Sequence, residues 1–311
     1  MALLIDIKET GWLTDQQLRD ILLSIYPTAD IRCGDSPGDL KDIEMLAVSQ
    51  YQAGESLLYP NLKLIQKTGA GVESIIGDQS VPQSVQIARL RSDTPAHEMA
   101  EYCLAAVLQE QRHFRQYRDN QLTSNWKAFE PLESNKTTVA VLGLGSIGKI
   151  TASRFVDNRF NVVGWSRSQK ELSGVKCYFG IDQLSEILAE ADYVISILPV
   201  TPETTNLFDQ QRFGEMKQGA VLINVGRGDL VNEVDLMQAL DSAEISHAIL
   251  DVMQAEPLPE SSPMWRHPGI TLTPHVSGWH LGDSVNDIVE NLRRLENDES
   301  LLHLIDRQFG Y

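Results

Sequence analysis

The sequence predicts an α/β protein of two Rossmann-like domains, each built around a parallel sheet. Three observations point there. The chain has 311 residues, more than one compact core usually holds. Short apolar strands alternate with helical segments in two successive series. The second series opens with a glycine-rich turn between a strand and a helix.

The first series begins with a strand at residues 2–6 and a helix at 15–25, followed by strand signals at Ile31, 45–48 and 63–68. A long helix is predicted over 93–121. Asp93-Thr94-Pro95 supplies its cap and first turn, and Glu98 follows closely. It reads as the connector between domains. The second series begins at Thr137, with strands at 138–142, 161–165, 193–198, 220–224, 248–251 and 271–273. Such short apolar runs suit a parallel sheet covered on both faces. After Pro274, a helix near 283–297 is expected to return the chain to the first domain. The expected domains are therefore 1–96 together with 279–311, and 97–278.

Composition excludes several classes. At 42% hydrophobic and 22% charged residues, the chain is an ordinary globular protein rather than a disordered or fibrous one. The longest apolar runs, 193–200 and 220–225, are far shorter than the roughly 20 residues of a membrane-spanning helix. The first ten residues lack the basic, apolar and small-residue regions of a secretory signal, so the cytoplasm is the expected compartment. Cys33, Cys103 and Cys177 stand far apart and show no zinc-site or disulfide spacing; no metal is expected. A net charge of −17 repels nucleic-acid phosphates, so an anionic ligand needs a locally basic pocket.

The strand Thr138–Leu142 runs directly into Gly143-Leu144-Gly145-Ser146-Ile147-Gly148, and a helix-compatible stretch follows. Gly143 permits the tight turn, Gly145 lets backbone approach a pyrophosphate, and Gly148 lets helix pack on strand. Ser146 and Ile147 open a helix whose N-terminus favours phosphate. An ordinary glycine turn is the bland alternative, and the flanking strand and helix argue against it. The next strand ends at Ser166-Arg167-Ser168, where an NAD site normally carries an acid for the ribose 2′-hydroxyl. Here the acid is missing. Arg167 can pair with a 2′-phosphate, aided by Ser166, Ser168 and Lys170, so NADPH is the expected cofactor and NADH a possible one. A solvated arginine beside an NAD-tolerant site is the alternative.

Three further segments follow later strands and should gather at the carboxyl edge of the sheet. They are Asn224-Val225-Gly226-Arg227-Gly228, Asp251-Val252-Met253-Gln254-Ala255-Glu256-Pro257 and Thr273-Pro274-His275-Val276-Ser277-Gly278. Singly, Arg227 could cap a helix, Glu256 could sit on an exposed turn, and His275 could be a satisfied loop histidine. Together they offer a guanidinium, a carboxylate and an imidazole to one reaction.

In these segments the chain resembles the D-isomer-specific 2-hydroxyacid dehydrogenase family, over nearly its whole length. The resemblance implies a flavodoxin-like domain plus a dinucleotide-binding domain, and an Arg227, Glu256, His275 triad. It also matches Gly69-Ala70-Gly71-Val72 to the family's substrate loop, which implies that Ala70 and Gly71 bind substrate. The stretch 198–204 matches the cofactor-side loop, with Leu198, Pro199 and Thr204, while Val225, Gly226 and Asp251 complete the implied cofactor contacts.

Within the family, the glyoxylate/hydroxypyruvate reductases look nearest, through Trp165-Ser166-Arg167, Pro257-Leu258-Pro259 with Ser262-Pro263-Met264-Trp265, and the closing Asp306-Arg307-Gln308-Phe309-Gly310-Tyr311. This resemblance implies reduction of a small 2-keto acid with NADPH, and a homodimer. Two departures bear on the substrate: Ser49-Gln50-Tyr51 stands where those reductases carry a tryptophan, and Trp279-His280 follows the histidine segment. A phosphoglycerate or D-lactate dehydrogenase remains an alternative, as does a nicotinamide-sensing binding protein of the co-repressor type. Neither an appended regulatory domain nor extra interaction tails are expected.

Overall fold

The structure is a computed structural model describing residues 1–8, 13–69 and 71–307. It divides into two compact units, Met1–Thr94 with Trp279–Tyr311, and Pro95–Gly278.

The first unit holds strands β1 (Ala2–Asp6), β2 (Ile31–Cys33), β3 (Ile43–Val48), β4 (Leu64–Lys67) and β5 (Gln86–Arg89) in the parallel order β2-β1-β3-β4-β5. Successive side chains alternate between faces, and both faces are buried: Ala2 and Leu4 of β1 join one core, Leu3 and Ile5 the other. Helix α1 (Asp15–Ile25) starts at a capping box. Thr14 Oγ1 accepts from the Gln17 amide at 3.2 Å, and the Gln17 side chain accepts from the Thr14 amide at 2.9 Å. Its Leu18 and Leu22, one turn apart, are fully buried against the second face. A short helix α2 (Glu73–Gly77) precedes β5.

Helix α3 (Asp93–Gln111) crosses from the first unit to the second. The single helix expected over 93–121 is in fact two. His113 adopts a left-handed φ of 60°, ending α3, and α4 (Phe114–Leu122) begins after it. Histidine tolerates that region better than most residues, so the break carries neither glycine nor proline as a signal.

The second unit then alternates β6 (Thr138–Leu142), α5 (Ser146–Asp157), β7 (Asn161–Ser166), β8 (Val175–Phe179), α6 (Leu184–Glu190), β9 (Tyr193–Ser196), α7 (Gln210–Glu215), β10 (Ala220–Asn224), α8 (Glu233–Asp241), β11 (Ile245–Leu250) and β12 (Ile270–Leu272). The parallel order is β12-β11-β10-β9-β6-β7-β8. Strand order reverses between β6 and β9, and there an open parallel sheet leaves a crevice at its carboxyl edge. Helices α3 and α5 cover one face through Cys103, Val107, Ala152 and Phe155. Helices α6, α7 and α8 cover the other through Leu188, Phe213 and Leu236.

The last helix, α9 (Val285–Glu296), belongs to the first unit, where Ile288, Val289 and Leu292 join the α1 core. A buried polar link fixes it. Asn291 Nδ2 donates to Gln66 Oε1 of β4 at 2.8 Å, and Asn291 Oδ1 accepts from the Leu302 amide at 2.7 Å. Both side chains are 0% exposed, so neither can turn to water if its partner is lost. Replacing Asn291 by Leu strands Gln66 Oε1 and the Leu302 N–H and should cost about 2–4 kcal/mol. Urea unfolding checks this; a midpoint equal to that of the parent chain would contradict it.

Candidate active site

The nucleotide-facing part is built by the turn from β6 into α5. Gly143 sits at φ 106°, and an added Cβ there would lie 2.9 Å from the Ile197 carbonyl oxygen. A Cβ on Gly148 would overlap the Gly143 carbonyl oxygen, so the helix packs on the turn only because both residues are glycine. Gly145 is different. It caps α5 without a side-chain hydrogen bond, and a Cβ placed on it meets nothing within 4 Å. The first-turn donors of α5, at Ser146 and Ile147, thus begin beside open space that an anion can fill. This is the cradle a dinucleotide pyrophosphate requires, and the residues present fit it.

Beyond β7, Trp165 Nε1 donates to the Gly180 carbonyl at 2.7 Å and Ser166 Oγ donates to the Ser168 carbonyl at 2.8 Å. Together they hold a tight turn that leaves Arg167, Ser168 and Lys170 exposed. The Glu203 carboxyl is held below its usual range, first by the Thr201 hydroxyl and then by its own amide, with Arg167 adding a smaller attraction. The 198–204 loop is tied to itself: Thr204 Oγ1 donates to the Pro199 carbonyl at 2.7 Å and accepts from the Thr201 amide at 2.8 Å. Leu198 is buried at its base.

Arg227 follows β10. Asn224, fully buried, braces that loop from inside: its Oδ1 accepts from the Gly226 amide at 3.2 Å, and its Nδ2 donates to the Arg227 carbonyl at 2.8 Å. Val225 is buried, and a Cβ on Gly226 would lie 2.6 Å from the Leu198 carbonyl oxygen. A Cβ on Gly228 would overlap the Met253 backbone. This close approach brings the Arg227 loop against the loop that carries Glu256. Gln254 ties the same two regions, its side chain donating to the Val231 carbonyl at 2.8 Å.

Glu256 and His275 come together although nineteen positions separate them. Oε2 of Glu256 lies 2.8 Å from His275 Nδ1, and Oε1 accepts from the Met253 amide at 2.9 Å. The hydrogen bond to Glu256 raises the His275 imidazole above its ordinary value. Burial opposes that shift, the charges of Glu256 and Asp251 support it, and Arg227 weakly opposes it. Glu256 is held low: burial pushes it up, but the His275 hydrogen bond and charge, the Met253 amide and Arg227 outweigh burial. The arrangement therefore pairs a carboxylate with an imidazole whose protonated form it favours, and the Arg227 charge is felt by both. Because Nδ1 faces Glu256, Nε2 is the nitrogen left to exchange a proton with a ligand.

Asp251, fully buried, has both carboxylate oxygens engaged within the protein. Oδ1 accepts from Thr273 Oγ1 at 2.6 Å and from the Val276 amide at 2.9 Å, and Oδ2 accepts from the Ser277 amide at 2.8 Å. Sequence reasoning missed the next link, Tyr102, whose hydroxyl lies 2.7 Å from Thr273 Oγ1. Nothing in a helical periodicity marks one tyrosine of α3 for that contact. In the first unit, Gly71 lies just before α2, while Ala70 and the 308–311 end of the closing motif lie outside the described residues. Tyr51 is buried there, its hydroxyl donating to Asp78 at 3.0 Å and accepting from the Ser56 amide at 3.2 Å. Among the described residues, no group of three or more His, Cys, Asp or Glu side chains could hold a metal ion, and no helix is long and apolar enough to cross a membrane.

A family model described as the NAD binding domain of D-isomer specific 2-hydroxyacid dehydrogenases matches residues 104–277. The chain is 36% identical over 256 residues to glyoxylate/hydroxypyruvate reductase A of Serratia proteamaculans (strain 568), covering 80% of this chain and 82% of that protein. A D-isomer specific 2-hydroxyacid dehydrogenase from Xanthobacter autotrophicus Py2, solved with NADPH and MES, superposes with a TM-score of 0.89 at 34% identity, over 100% of this chain and 99% of that one. An NADPH-dependent glyoxylate/hydroxypyruvate reductase from Sinorhizobium meliloti, solved with NADP and sulfate, gives a TM-score of 0.90 at 27% identity, over 100% and 99% of the two chains. The cradle, the strand order and these likenesses agree: the chain belongs to the D-isomer specific 2-hydroxyacid dehydrogenase family and is an NAD(P)-dependent oxidoreductase.

Proposed function

We propose that this enzyme reduces a small 2-keto acid of the glyoxylate or hydroxypyruvate type, with NADPH as its preferred reductant. The observation that carries the reading is the 2.8 Å pair between Glu256 and His275, whose imidazole is raised toward its protonated form. The similarity to glyoxylate/hydroxypyruvate reductases and the acid-free Arg167 turn support the substrate and cofactor assignments.

In this reading the unit Pro95–Gly278 is the dinucleotide-binding domain and the other unit is the substrate domain. Gly143, Gly145, Ser146, Ile147 and Gly148 would hold the pyrophosphate, and Arg167 with Ser166 and Ser168 the 2′-phosphate. Leu198, Pro199, Thr204, Val225 and Gly226 complete the cofactor side, and residues 69–72 are assigned to the substrate. Asp251, expected there from the sequence, is fully buried and braces the His275 loop instead. When bound, the reduced nicotinamide supplies hydride.

Arg227 binds the substrate carboxylate and polarises the neighbouring ketone. As negative charge grows on the ketone oxygen, His275 gives it a proton from Nε2. Glu256 holds Nδ1 and keeps the ring charged until that transfer. The same groups run the reverse reaction, in which neutral His275 accepts the proton of the hydroxy acid.

We also propose a homodimer. Phe114, Leu122, Trp126 and Leu132, on α4 and the segment after it, are exposed, with Trp126 fully so. Four large apolar side chains exposed within one short stretch of chain suit burial against a partner. Size-exclusion chromatography with light scattering should give about twice the 34.7 kDa chain mass, and Trp126→Asp should return it toward the single-chain value. A parent chain that elutes at its single-chain mass would remove the dimer.

Reductase activity requires protonated His275, so it should fall as pH rises through the raised imidazole value. Glu256→Gln removes the main cause of that raise and should move the fall to lower pH, with kcat/KM near neutrality lowered about 100-fold or more. An unchanged pH profile would take Glu256 out of the mechanism. Arg167→Asp should weaken NADPH binding by roughly 10- to 100-fold and leave NADH much less affected. Equal effects on the two cofactors would make Arg167 a bystander. A panel of keto acids assayed with both cofactors distinguishes this reading from a D-lactate or phosphoglycerate dehydrogenase.

A further inference from the structure

We infer that the hydroxyl of Tyr102 is a positioning group for the His275 imidazole, acting through Thr273 and Asp251. The inference rests on the reading of His275 as the proton donor, and it adds a residue outside the three loops that build the site.

Hydrogen-bond direction is settled by counting protons. Thr273 has one hydroxyl hydrogen and gives it to Asp251 Oδ1 at 2.6 Å. In the 2.7 Å contact between Tyr102 and Thr273, the threonine oxygen must then accept and the tyrosine must donate. Burial pushes the Tyr102 hydroxyl up to about 12, so it keeps that proton throughout the neutral range. The relay runs from Tyr102 to Thr273 to Asp251.

Its inner end grips the histidine loop. Asp251 takes the amides of Val276 and Ser277, the two residues after His275, and the Asp251 carbonyl takes the His275 amide at 2.8 Å. Between these anchors, His275 adopts a left-handed φ of 55°. A histidine in that region costs of order 1 kcal/mol and persists only where its surroundings over-determine it. Three donors on one buried carboxylate do so. Thr273 is both the residue that starts the loop and the third donor, so freeing its side chain loosens the carboxylate and the loop together. Tyr102 removes the freedom of Thr273 to rotate, because the oxygen is claimed from the α3 side. The imidazole is thereby kept at hydrogen-bond distance from Glu256.

The test compares Tyr102→Phe, Thr273→Val and Thr273→Ser with the parent enzyme. Four readings are taken: kcat and KM for glyoxylate, NADPH affinity by fluorescence, NMR titration of the His275 ring, and thermal midpoint. Tyr102→Phe and Thr273→Val should lower kcat about 5- to 50-fold while NADPH affinity stays within about twofold. The His275 titration should move to lower pH, since its grip by Glu256 is weakened. Thr273→Ser, which keeps the hydroxyl, should behave like the parent. The Tyr102→Phe/Thr273→Val double variant should be no worse than Thr273→Val alone, because one relay is cut twice.

A Tyr102→Phe enzyme with parental kcat and an unmoved His275 titration overturns the inference, whatever its thermal midpoint does. If the titration moves but turnover does not, the positioning role stands and the assignment of His275 as proton donor fails instead. A His275→Asn variant that retains parental turnover exposes the same failure directly.

Discussion

The hydrogen bond between Glu256 and His275 is the interaction that gives the rest of the second unit its purpose. Its two partners hang from the ends of neighbouring parallel strands, β11 and β12, and no local contact along the chain would bring them together. A parallel sheet buried on both faces commits most of its side chains to packing, so chemistry must be carried by the loops beyond the strand ends. The loops then need bracing. Here it comes from polar side chains turned inward: Asn224 braces the Arg227 loop, and Asp251 braces the His275 loop. Both are fully buried; Asn224 spends its donor and acceptor on backbone groups, and Asp251 takes two amides and the Thr273 hydroxyl.

Electrostatics and geometry reinforce one another at the pair. Glu256 raises the imidazole, and the imidazolium in turn keeps Glu256 ionised against the burial that would neutralise it. Burial, and more weakly the Arg227 charge, oppose the raise without cancelling it. In the proposed reaction a raised imidazole is the form that can donate a proton, and the carboxylate beside it is what raises it.

Much of this was legible in the sequence for identifiable reasons. Central strands buried on both faces are continuous apolar runs, so β6, β9 and β10 stood out. The edge strands β5 and β8 carry more exposed positions and went unread. The glycine turn was readable because a Cβ is sterically excluded at Gly143 and Gly148, and sterics constrain residue type more tightly than hydrophobicity does. The break between α3 and α4 was not, because a left-handed histidine looks like any other polar helix residue. Arg227, Glu256 and His275 could be found as a set only through their positions after successive strands. Tyr102 could not be found that way, since its contact is made across the sheet edge from a helix on one face.

The charge of the chain raises a separate question, because a protein at −17 must take up an anionic cofactor and an anionic acid. Screening answers most of it. At physiological salt the field of a surface charge decays over about 8 Å, so the distant carboxylates that make up the total act weakly on a ligand already in the crevice. In the proposed reading what acts there is local: the uncapped start of α5, the Arg227 guanidinium and the exposed Arg167. The net charge therefore argues against a long, regularly charged partner such as a nucleic acid, whose phosphates would meet many carboxylates at once. It does not argue against a small anion, whose few charges each find a donor placed by the backbone.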